Sequence, residues 1–198
     1  MLSKREITRN DIVPSERYAA ERGDRRRRVT ALKRRRRVEV GPFATFYFEN
    51  YETMLHQVQE MLFIEKGGEA QIPDELRAYN PLIPKGAELV ATVMFEIEDP
   101  VRRATVLATL GGIEHVTFIE VGGVRILGIP EGDQERSTEE GKASSVQFIH
   151  FPFNRDQIAA FRAPGATVLL GFAHRNYGHM AVMPDEVRAE LARDFDLD

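Results

Sequence analysis

The chain contains no cysteine. That excludes disulfides, a catalytic thiol and thiolate-held iron–sulfur clusters, and it leaves any metal to His, Asp and Glu. It also lacks an uninterrupted apolar run of about 18 residues, the length that marks a membrane-spanning helix. Residues Met1 to Asn10 are polar, without the apolar stretch of a secretory signal. With neither signal nor disulfides, the expected compartment is the cytoplasm. Several catalytic signatures are missing too: the P-loop, Gly-x-Gly-x-x-Gly, His-Glu-x-x-His, the Gly-x-Ser-x-Gly elbow and the Glu-x-x-His pair of di-iron bundles. Gly111-Gly112 and Gly122-Gly123 then read as a helix stop and a hairpin turn.

What is present fits one domain over residues 1–198, large enough to bury about 70% of its unfolded surface. The charge is unevenly spread. Arg25 to Arg37 holds nine basic residues and no acidic one, leaving 18 basic against 31 acidic elsewhere, a balance of −13. A dense positive patch therefore sits on an otherwise acidic protein.

Residues 1–14 read as an extended arm ending at Pro14. Ser15 would cap a basic helix running to about Arg37, weakened near Gly23. Val38 to Phe48 has strand parity, with Gly41-Pro42 marking a bulge or an edge. Asn50 caps a helix to about Lys66, whose apolar residues Met54, Leu55, Val58, Met61 and Leu62 follow one stripe. Pro73 starts a short helix through Tyr79. Glu88 to Glu98 alternates as an antiparallel strand. Pro100 to Leu110 is helical, and His115–Val121 with Val124–Ile129 forms a hairpin. Glu131 to Lys142 is a charged loop without periodicity. Ala143–Phe153, Thr167–His174 and Tyr177–Met183 are strands; Asn154 and Pro184 open the last helices. The sum is an α+β fold: a mostly antiparallel sheet of about six or seven strands with helices packed on one face, and a core spanning residues 38–198.

The passage from Lys33-Arg34-Arg35-Arg36-Arg37-Val38-Glu39-Val40-Gly41-Pro42 through Phe48-Glu49-Asn50 to Gln57-Val58-Gln59-Glu60-Met61 resembles a bacterial family known as domain of unknown function 3501. Asp74-Glu75-Leu76 with Ala78-Tyr79-Asn80-Pro81-Leu82-Ile83-Pro84 resembles its next block. The resemblance covers most of the chain. It supplies no catalytic residues. It implies a redox or oxidative-stress setting, because such proteins resemble accessory members of neighbourhoods with rubrerythrin-like and iron–sulfur proteins.

Three constellations carry chemistry. Glu49, Asn50, Gln57 and Glu60 lie where a strand hands over to a helix. They read either as a polar pocket, with Glu60 as base or ligand, or as caps and a buried network fixing helix to sheet. His150, His174 and His179 fall on neighbouring strands, and with Glu60 they are candidate ligands for a divalent transition metal. Arg34, Arg35, Arg36 and Arg37 are candidates for contact with a second subunit, another protein or phosphate; nucleic acid is the less favoured partner, since no aromatics stand between the arginines. The leading expectation is a cytoplasmic accessory or interaction protein, self-associating and serving a redox system. The alternatives are a metal-binding protein or enzyme using Glu60 and the C-terminal histidines, and a nucleic-acid-binding module.

Overall fold

The computed structural model describes residues 4–132 and 142–196. Among the described residues, six helices and two antiparallel sheets form an α+β fold. The expected single sheet is divided. A five-stranded sheet runs in the order β1 (Arg37–Val40), β2 (Ala44–Phe48), β3 (Glu88–Phe95), β7 (Val146–Pro152), β6 (Ile129–Pro130). A four-stranded sheet runs β5 (Val124–Leu127), β4 (Thr117–Val121), β8 (Val168–His174), β9 (Tyr177–Val182).

Two glycines explain departures from the expected elements. The stretch Val38 to Phe48 is a hairpin, not one strand, because Gly41 takes φ +70° and turns the chain. A Cβ there would meet the His179 ring at 2.7 Å. The turn keeps parity, so Val38, Val40, Phe46 and Phe48 all face inward. The hairpin expected from His115 to Ile129 holds as β4 and β5, but at Gly128 the chain crosses into the other sheet and pairs Ile129 with His150. A Cβ on Gly128 would meet Ile149 Cγ2 at 2.5 Å, so only a bare backbone passes there. Most of the charged stretch from Glu131 to Lys142 lies outside the described residues.

The sheets pack face to face over an apolar core. Phe46 meets Phe172 across it at a centroid distance of 5.1 Å. The Tyr177 hydroxyl, on β9, donates to the Val40 carbonyl at 2.9 Å and accepts from the amides of Phe43 and Ala44, stitching one sheet to the other. Beyond β7, the rings of Phe153, Phe161 and Phe195 join α5 (Arg155–Arg162) to the segment after α6 (Asp185–Leu191). The helix α4 (Pro100–Ala108) contributes Leu107 to the same core.

The outer face of the five-stranded sheet carries α2 (Tyr51–Glu65) and α3 (Ile72–Tyr79), packed through Met54, Val58, Leu62 and Ile72 against Val90 and Phe148. On α2 lies α1 (Ser15–Arg34), unbroken at Gly23 and opening directly after Pro14, so Ser15 is the first helical residue and not its cap. The arm before it is anchored: Ile7 and Ile12 are buried, and Asn80 exchanges hydrogen bonds with the Ile7 backbone at 2.7 and 2.9 Å. No helix of the described residues is long and apolar enough to cross a membrane.

Candidate functional site

The site grows out of the passage from β2 to α2. After Phe48 the ladder continues one residue, with the Glu49 amide donating to the Val90 carbonyl at 2.7 Å. Asn50 then adopts an extended conformation, and its side chain accepts from the Thr53 amide at 3.0 Å, capping α2. Thr53 answers by accepting from the Asn50 amide at 2.9 Å. Arg36, 1% exposed, holds this corner from behind. Its guanidinium donates to the carbonyls of Phe48 at 3.0 Å and Glu49 at 3.1 Å, pairs with Asp194, and lies 3.6 Å from Glu190.

This geometry turns the Glu49 side chain toward the sheet's outer face. Glu49 is 3% exposed, and no cation lies within ion-pair distance of its carboxylate among the described residues. Two hydroxyls serve it instead: Thr53 donates to one oxygen at 2.5 Å and Thr92 to the other at 2.7 Å. A cavity of about 380 Å³ opens beside it. The sheet supplies Tyr47, Thr92, Met94, Val146 and Phe148; α2 supplies Met54 and Gln57. Tyr79 and Leu82 close another side, and Lys33, near the end of α1, reaches in from above. Burial raises the Tyr79 pKa, and a hydrogen bond from Gln57 works against that rise. Mostly apolar walls with a few convergent polar groups are the usual make-up of a small-molecule pocket.

Of the four polar candidates, Glu49 and Gln57 meet in the cavity, Asn50 caps, and Glu60 turns away toward α1. The Glu60 carboxylate takes two bonds from the Arg22 guanidinium, at 2.8 and 2.9 Å, and one from the Tyr18 hydroxyl at 2.7 Å. Arg22 chiefly, then Tyr18, against the pull of burial, lowers its pKa to about 2. His56 stands 3.3 Å from the Tyr18 hydroxyl, and burial lowers its pKa. This cluster joins two helices and favours the ionised form of Glu60, whose oxygens are taken up by Arg22 and Tyr18.

The three histidines are not brought together. His150, on the outer face of the five-stranded sheet, has a carboxylate on each ring nitrogen, Glu88 at 3.0 Å and Glu131 at 2.8 Å. His174 ends β8, with Nδ1 accepting from the Asn176 amide and Nε2 facing the Gly111 carbonyl. His179 is exposed on β9, its ring against Tyr177. Among the described residues no group of three or more His, Asp or Glu side chains is placed to hold a metal ion. The four arginines part company as well. Arg34 is exposed, Arg35 is exposed at 4.0 Å from Glu190, Arg36 is buried, and Arg37 pairs with Glu39 at 2.6 Å.

Sequence reasoning missed Lys33, Tyr79, Thr92 and Phe148 as cavity residues. Strand parity puts Thr92 on the outward face, but nothing in a single strand says that a helix roofs that face at a distance.

A protein of unknown function from Burkholderia pseudomallei K96243 has a crystal structure similar to this one. The two share 37% sequence identity and a TM-score of 0.89, over 96% of this chain and 99% of the other. No curated protein matches. The family described as protein of unknown function DUF3501 matches residues 6–195. With nearly the whole chain spanned in both comparisons, this protein belongs to the DUF3501 family.

Proposed function

We propose that this chain is an accessory protein that holds a small organic molecule in the cavity beneath α2. One observation carries the reading: Glu49 is a buried carboxyl group at a cavity wall, served by two hydroxyls and with no cation within ion-pair distance among the described residues. With one hydroxyl on each oxygen, the Glu49 carboxyl group keeps acceptor capacity that a ligand N–H or O–H can use. A fitting ligand has an N–H or O–H group for Glu49, an apolar body for Met54, Met94 and Phe148, and an acceptor or anionic group for Lys33. The redox setting implied by the family resemblance is compatible with this role. A chain without cysteine would serve such a system by keeping a molecule rather than by thiol chemistry.

The test is a native mass spectrum of gently purified protein, followed by a thermal-shift screen of metabolites. The expected result is an adduct, or a hit, that is lost in Glu49→Gln while the fold persists. A wild-type protein that carries no adduct and is shifted by no library member would overturn the reading.

A second reading rests on α1. Arg26, Arg28 and Arg34 are exposed, and no carboxylate lies within 4.0 Å of them among the described residues. Such cations are available to an acidic protein or to phosphate. Replacing all three by Gln would then abolish a salt-sensitive association, measured by anisotropy against an acidic peptide and a labelled oligonucleotide. An unchanged affinity for both would remove this reading.

A further inference from the structure

The two sheets differ on the faces they turn away from each other. The five-stranded sheet is roofed by α2 and α3. Among the described residues the four-stranded sheet shows no comparable cover: Leu127, Met180 and Val182 are 62%, 58% and 62% exposed. Register explains why these residues form one surface. Leu127 opposes Phe118, Phe118 opposes Gly171, and Gly171 opposes Met180, so a single apolar row crosses all four strands. The next row is apolar over β8 and β9, Leu169 opposite Val182, and charged over β4 and β5, Glu120 opposite Arg125. A solvent-facing antiparallel sheet would ordinarily carry polar side chains at such positions.

The charges on this face identify its partner. Among the described residues of its strands, two charged residues lie on it, Glu120 and Arg125, directly opposite each other and paired at 2.7 Å. The Arg125 guanidinium also lies 4.1 Å from the centre of the Phe118 ring. The face is therefore electrically neutral on a chain of net charge −4. It gives a strongly acidic or basic partner no charge to pair with, and phosphate no unpaired cation. An identical face suits it. Turned by a two-fold axis, the second copy lays its apolar positions on those of the first and sets its Glu120–Arg125 pair with reversed polarity against the first. We infer that the outer face of the four-stranded sheet is the surface on which two copies of this chain associate.

The size of the face sets the strength. Four strands spaced about 4.8 Å apart, with about six residues at ~3.3 Å each, make a face on the order of 20 Å square. That is at or below the ~800 Å² per partner of a standard interface, so the dimer is concentration-dependent, not permanent. Sedimentation velocity from about 1 to 200 µM spans that range of affinities.

Wild type is expected to pass from one to two chains per particle within that range. Met180→Lys with Val182→Lys should remain a monomer throughout, with circular dichroism and melting temperature unchanged, because both residues are already exposed. Leu127→Lys, at the other end of the row, should weaken the dimer at least tenfold. Raised salt should leave it intact or strengthen it, and Arg26→Glu with Arg34→Glu should not affect it, since α1 lies outside the contact. A wild type that stays monomeric, a dimer that survives Met180→Lys with Val182→Lys, or a dimer dispersed by salt or by the arginine changes would each overturn the inference.

Discussion

At the residue scale, two ion-pair clusters of opposite pH sense stand out. Glu60 has its pKa lowered from 4.5 to about 2 by Arg22 and Tyr18. Its stabilising effect is thus fully present above the unfolded value and lost as pH falls through the folded one. With Arg22 partly exposed, the contribution is on the order of 2 kcal/mol. Chemical denaturation between pH 5 and pH 2 should show wild type losing this stability, while Glu60→Gln is weaker at pH 7 and flatter across the window. His150 behaves in the other sense. Burial opposes its charge, but Glu88 and Glu131 outweigh burial and raise its pKa above 6.5. Its contribution is full below the unfolded value and disappears as pH rises through the folded one. Denaturation midpoints measured above pH 6.5 should therefore fall with pH in wild type and stay level in His150→Gln. The sequence made Glu60 visible as a carboxylate beside a core stripe. It could not reveal the partners, because Arg22 and Tyr18 lie 38 and 42 residues away on another helix.

At the element scale, the corner between β2 and α2 depends on a cap and a buried cation. Asn50→Ala should cost about 1 kcal/mol in equilibrium unfolding, the usual value of a lost N-cap. Arg36→Met should cost more, about 3–5 kcal/mol, because it leaves Asp194 and Glu190 without their buried partner. Burial already raises the Asp194 pKa against the pull of Arg36, so the variant should take up a proton there. Asn50 was readable as a cap from spacing alone. Arg36 was not readable as buried: in a run of arginines every member looks solvated, and only the meeting of a hairpin, a helix start and the far C-terminal helix singles one out. The first helix was legible in its start but not its end: it stops at Arg34, where a run to about Arg37 was expected, because Arg37 already pairs in β1, and it buries only Tyr18 and Leu32 of its 20 residues. Hydrogen exchange should show α1 amides opening before those of β2, β3 and β7, since little apolar contact holds the helix down.

At the scale of the whole molecule, composition and periodicity carried the class and most elements. Parity marked Glu88–Phe95 and Val168–His174 as strands because Leu89, Ala91, Val93 and Phe95 in one, and Val168, Leu170 and Phe172 in the other, line the core between the sheets, even though the opposite parity of Glu88–Phe95 is roofed by helices. Division into two sheets was not legible, because strand parity shows which residues face inward but not which neighbour they meet. The cavity was half legible for the same reason: Glu49 and Gln57 lie on one local passage, whereas Lys33, Tyr79, Thr92 and Phe148 arrive from four others. The cavity also has an optical consequence. The chain has no tryptophan, and its intrinsic emission comes from five tyrosines. Phe148, half-buried on the cavity wall, can be exchanged for the one indole in the molecule without a competing background. Phe148→Trp would emit from inside that space, its colour set by whether water or an organic guest lies against it. Filling the site should shift that emission to the blue and shield it from iodide, so an unidentified guest could be titrated by light before its chemistry is known.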